Sequence, residues 1–157
     1  MSSFITVIIN IDEQHRDLLK EALHRKAELC GIGVWFNDRY IDEFEMFHQT
    51  PNTVAFNIAD NYLFNNCEEL VTPWWYCDCG EELFAIRMGK IRNIVEECFK
   101  YVDEVNLFIG TSGALYDDFK HVIIFFTDLH SEIVKQYEAD RWFVPPLVHF
   151  VIKPKLS

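Results

Sequence analysis

The chain has 157 residues, half of them hydrophobic, with 14 Phe, 6 Tyr and 4 Trp and a formal net charge of -11. That length suits one domain, 1–157, and so much apolar and aromatic material supplies a core, which argues against intrinsic disorder. A surface this negative repels nucleic-acid phosphates and anionic lipid headgroups and attracts cationic proteins, so nucleic-acid and membrane partners are not expected.

The apolar run from Phe4 to Asn10 is the first predicted strand. It lacks a basic leader and stops at Asp12 and Glu13, too early for a secretory signal. From Asp12 to Cys30 the positions Leu18, Leu19, Ala22, Leu23, Ala27 and Leu29 form an apolar stripe beside a charged face, which predicts a helix. Strands are predicted at Ile32 to Phe36 and Thr53 to Ile58. From Glu81 to Val102, Phe84, Met88, Ile91, Val95, Cys98 and Val102 step by four and three, the helical period. Val105 to Gly110 is the next strand.

A third run, Leu115, Phe119, Val122, Phe126, Leu129, Ile133 and Tyr137, repeats the helical spacing. Val122 to Phe126 alone would pass for a strand, but its place in the longer series favours a helix, with a break near Thr127. Pro145 and Pro146 end what precedes them and feed a last strand, Leu147 to Lys153. The expected fold is therefore α+β: a mixed sheet of about five strands with three main helices. Its first six elements resemble the split β-α-β arrangement of ferredoxin-like folds, with an added helix and strand. That layout serves many functions and implies none.

Charge placement is more informative than its total. Between Arg39 and Arg87 no Lys or Arg occurs across 47 residues. The interval holds nine acids, Asp42, Glu43, Glu45, Asp60, Glu68, Glu69, Asp78, Glu81 and Glu82. The rest of the chain is nearly balanced, with 16 acids against 14 bases. Large aromatics share the interval, and Trp74, Trp75 and Tyr76 are the most distinctive. Neighbouring Trp side chains in a strand point to opposite faces, which places this trio on a loop or hairpin after Pro73. Carboxylates among aromatics suit a basic protein partner: acids speed encounter, and aromatics anchor the centre. The candidate partner-binding residues are thus Asp42, Glu43, Glu45, Asp60, Glu68, Glu69, Trp74, Trp75, Tyr76 and Asp78. For each alone, a solvated acid or a core aromatic is the simpler account.

Chemical motifs are sparse. Cys67, Cys77 and Cys79 with His48 could offer three thiolates and an imidazole to zinc, but a single C-x-C lacks the paired C-x₂-C spacing, so no metal is expected. The five scattered cysteines do not form a disulfide framework, and a reducing cytoplasm is the expected setting. Gly110 to Ala114 superficially resembles a nucleophile elbow, yet Ala114 stands where the second glycine is required. Ser112 reads better as a helix N-cap. His121, His130 and His149 with Asp117, Asp118 or Asp128 could complete a triad only on paper. No phosphate-binding glycine motif is present, and no cofactor is implied.

The acid-rich, base-free interval from Tyr40 to Ile86, together with the lack of catalytic motifs, resembles the immunity proteins that bacteria make against their own toxins. The resemblance is to the class and carries over no individual residue. It implies a cytoplasmic, non-catalytic inhibitor that covers the active site of a basic partner such as a nuclease. Two other classes fit the same chain: a small hydrolase with its site near Ser112 and the C-terminal histidines, and a homodimeric scaffold or regulatory domain.

Overall fold

The computed structural model describes residues 3–36, 52–59, 80–111, 116–139 and 147–154. These form β1 (Ser3–Asn10), α1 (Glu13–Cys30), β2 (Gly33–Phe36), β3 (Thr53–Ala59), α2 (Gly80–Cys98), β4 (Val105–Thr111), β5 (Lys120–Phe125), α3 (Leu129–Ala139) and β6 (Val148–Lys153). Short 3₁₀ turns at Tyr116–Asp118 and Phe126–Asp128 flank β5. The class is α+β, as the sequence indicates.

All six strands join one sheet in the order β2-β3-β1-β4-β6-β5. β1 pairs antiparallel with both β3 and β4, and β2 pairs antiparallel with β3. β1 and β2 therefore run parallel with β3 between them, and β3 and β4 run parallel with β1 between them. These are two interleaved split β-α-β units. β4 then pairs antiparallel with β6, and β6 pairs parallel with β5, so β5-α3-β6 is a crossover unit added at that edge.

All three helices contribute to the core on one sheet face. Leu19, Leu23 and Ala27 of α1, Met88, Ile91 and Val95 of α2, and Leu129 and Ile133 of α3 pack against alternate strand residues such as Val7, Phe56, Leu107 and Phe150. The apolar stripe of α1 is narrower than its sequence suggests, because Leu29 is 84% exposed and Leu18 also faces solvent. α1 stops at Gly31, whose φ of 71° is left-handed, while Ile32 N–H reaches back to Ala27 O at 3.0 Å. α2 ends at Cys98, short of the predicted Val102, and residues 99–101 form a turn.

The helix expected from Leu115 to Tyr137 is corrected. Lys120–Phe125 is a strand, and α3 begins only at Leu129. The burial alternates with period two: Ile124 is buried and Val122 packs against the core, whereas Ile123 is 74% and Phe125 41% exposed. A ladder to β6 decides this segment, since β-branched and aromatic residues fit a pleated surface and the four-and-three spacing was coincidental. That strand brings the sheet to six.

Candidate functional site: a histidine pair on the second sheet face

Side chains that alternate away from the helices line the sheet's second face. Strand register sets one row across all six strands: Trp35, Asn57, Thr6, Phe108, His149 and His121, each opposite the next. All but His121 are buried. Phe108 lies in a second apolar cluster with Ile8, Ala55 and Phe119, against which Tyr116 and Leu147 pack. Thr6 donates its hydroxyl to Asn57 Oδ1, and Asn57 Nδ2 is buried without a hydrogen-bond partner.

At one end of the row is a polar chain. His121 Nδ1 and His149 Nδ1 are 2.8 Å apart, and His149 Nε2 is 2.9 Å from Asn106 Oδ1. His149 is only 3% exposed, and burial, helped by the neighbouring His121, lowers its pKa from 6.5 to about 4. His149 is therefore neutral at pH 7. With Asn106 Oδ1 as acceptor, His149 carries its proton on Nε2, so its Nδ1 must accept from His121 Nδ1–H. His121 is thereby held with Nε2 as the nitrogen available to an outside group.

Aromatic rings fix both imidazoles. Phe108 stacks on His149 at 4.1 Å with planes 3° apart, and Tyr116 stacks on His121 at 4.4 Å. The Tyr116 phenol is raised above its usual pKa by burial and then by Asp117. The arrangement can accept a proton or coordinate an electrophile at one oriented, exposed imidazole.

Asn106 also lines a polar cleft of about 380 Å³ at the sheet end, with Asn10, Asp12, Asn52, Asp103 and Glu104. Glu104 pairs there with Lys153. Among the described residues, no group of three or more His, Cys, Asp or Glu side chains could hold a metal ion, and no helix is long and apolar enough to cross a membrane.

The ten residues assigned to partner binding, Asp42, Glu43, Glu45, Asp60, Glu68, Glu69, Trp74, Trp75, Tyr76 and Asp78, all lie outside the described residues. So do His48, Cys67, Cys77, Cys79 and Ser112. Their anchor points are described. Residues 37–51 join Phe36 to the start of β3, and 60–79 join the end of β3 to α2. Because Phe36 pairs with Phe56 and Gly33 with Ala59, the two segments attach at opposite ends of the β2–β3 pair.

Of the three C-terminal histidines, the fold unites His121 and His149 and separates His130. His130 follows Leu129 on α3, which packs on the other face of the sheet. Sequence reasoning missed Asn106 and Tyr116. The signal for Asn106 was its place in Val105-Asn106-Leu107, a polar residue between two apolar ones in a strand, as His149 is between Val148 and Phe150. Comparison with family models, curated proteins and solved structures finds no match to this chain.

Proposed function

We propose that the protein is an acidic binding module of the immunity or inhibitor type, acting on a basic protein such as a nuclease toxin. The observation that carries this reading is the 47-residue stretch without Lys or Arg, which holds nine acids while the rest of the chain is nearly neutral. Both segments that hold its candidate contact residues are anchored on the β2–β3 pair at one edge of the sheet. The acids of the interval steer a cationic partner and pair with its phosphate-binding Lys and Arg, while Trp74, Trp75 and Tyr76 supply anchoring area. The test is capture from the native cell extract on immobilised protein, followed by kinetics with the triple variant Glu68→Lys, Glu69→Lys, Asp78→Lys. A basic captured protein whose association slows about tenfold or more at low salt supports the reading. Capture of no basic protein, or unchanged association by the variant, refutes it.

A second reading, a small hydrolase with its site near Ser112, gains support from the His121–His149–Asn106 chain, in which a buried imidazole orients an exposed one. Fluorophosphonate labelling of Ser112 that is lost in His121→Gln would favour it. Absence of labelling in folded protein removes the serine-hydrolase version.

A further inference from the structure

β5 closes the sheet at the edge opposite β2, with four strands between them. Natural edge strands are usually blunted by charge, proline or a bulge, because their unpaired N–H and C=O groups template further pairing. Within Lys120–Phe125 the only Lys, Arg, Asp or Glu is Lys120, at the first position, and there is no proline. Lys120 turns its N–H to Leu147 O at 2.9 Å, toward β6. Backbone direction alternates along a strand, so Lys120, Val122 and Ile124 face β6, whereas His121, Ile123 and Phe125 turn their N–H and C=O groups outward. The same three residues place their side chains on the face opposite the three described helices, and Ile123 and Phe125 are among the exposed large hydrophobics.

We propose that β5 is a self-association edge through which two copies pair antiparallel, joining two six-stranded sheets into one of twelve. The sequence is self-complementary in one register. With Ile123 opposite Ile123 of the second copy, His121 faces Phe125 and Val122 faces Ile124. All three outward residues then exchange backbone hydrogen bonds across the two-fold axis. Shifting by two residues leaves Phe125 without a strand partner in one direction and His121 in the other. The register also sets Lys120 of each copy opposite Phe126 of the other, two residues before Asp128 in the 3₁₀ turn that ends the strand, within the span of a lysine side chain. No like charges stand opposite each other within the strands.

The charge distribution favours this edge over the other. The base-free interval is anchored mainly at the β2–β3 side, roughly 24 Å across the sheet at about 4.8 Å per strand. Pairing through β5 therefore keeps the anchors of the two acidic intervals at the outer ends of the joined sheet, where repulsion is screened. The inference does not depend on the partner-binding reading.

Sedimentation of the full chain, spanning roughly 5 to 500 µM, tests it; a ladder from His121 to Phe125 lies at the low end of interface sizes and gives weak association. The expected result is a concentration-dependent doubling of mass in the parent. Ile123→Lys stays at monomer mass, while Ile86→Lys, at the 57% exposed position on α2, behaves as the parent. Ile123→Thr keeps the β-branched backbone preference and also weakens association, which guards against a folding artefact in the lysine variant. Lys120→Asp weakens dimerisation roughly threefold to thirtyfold through two symmetry-related ion pairs, and Lys120→Asp with Asp128→Lys restores it. A parent that remains monomeric throughout, including one whose edge takes only a foreign segment, overturns the proposal. So does association that survives both Ile123 variants, is lost in Ile86→Lys, or is not restored by the charge swap.

Discussion

Acid should destabilise this fold through His149, and the size of the effect follows from its setting. The imidazole is buried, stacked on Phe108 and bonded through both nitrogens, and its pKa falls from 6.5 to about 4. The folded state thus favours the neutral form. Between about pH 6.5 and 4 the unfolded chain binds the proton that the folded chain refuses, so unfolding becomes easier as pH falls. The stabilisation is complete above about pH 6.5 and is lost progressively down to about pH 4. The full drop corresponds to about 3 kcal/mol, at 1.36 kcal/mol for each tenfold change in acidity. Urea unfolding of the parent and of His149→Gln at several pH values isolates this contribution, because carboxylates titrating nearby are common to both proteins. The parent should lose about 3 kcal/mol more than the variant between about pH 7 and 4. Parallel stability curves for the two proteins, or a His149 imidazole that titrates near 6.5 by NMR, would refute the argument.

Three further outcomes can be checked on the same material. A Cβ at Gly110 would lie 2.8 Å from the Phe119 ring and 3.3 Å from Leu147, so Gly110→Ala should cost about 1–3 kcal/mol in urea unfolding, and Phe119→Leu should recover part of it. Cys98 is fully buried on α2 and its thiol is pushed up by burial and by Glu97, so a maleimide should modify half-buried Cys30 in native protein and reach Cys98 only on unfolding. Asn57 Nδ2 is buried without a partner, so Thr6→Val with Asn57→Leu should be less destabilising than the sum of the two single changes, as a double-mutant cycle would record.

The fold was legible where one period held without competition. Met88, Ile91 and Val95 on α2 and Leu19, Leu23 and Ala27 on α1 are buried because a helical stripe meets a flat sheet. The split β-α-β order also followed from the succession of elements. β5 was not legible, because Val122, Phe126, Leu129 and Ile133 keep helical spacing through a strand, a 3₁₀ turn and a helix in turn. What fixes Lys120–Phe125 as a strand is the β6 ladder, a non-local partner that lies 28 residues on for His121. The histidine site failed to show for the same reason: Asn106, His121 and His149 come from three strands, and only register brings them together.

The position of that site in the sheet accounts for its division of labour. β1 is buried on both sides, with Ile5, Val7 and Ile9 against the helices and Thr6 and Ile8 on the other face. The cross-strand row stays buried from Trp35 to His149 and emerges only at His121. Two histidines one strand apart thus sit on opposite sides of the boundary between core and solvent. Burial keeps His149 neutral and therefore an acceptor at Nδ1, and the last strand gives its partner both an oriented ring and access to water. The same boundary exposes Ile123 and Phe125, the next two residues on that face of β5. The oriented imidazole and the apolar edge, which no other described strand pairs, are thus two consequences of one feature, a cross-strand row on the second face that is buried until it reaches its final strand.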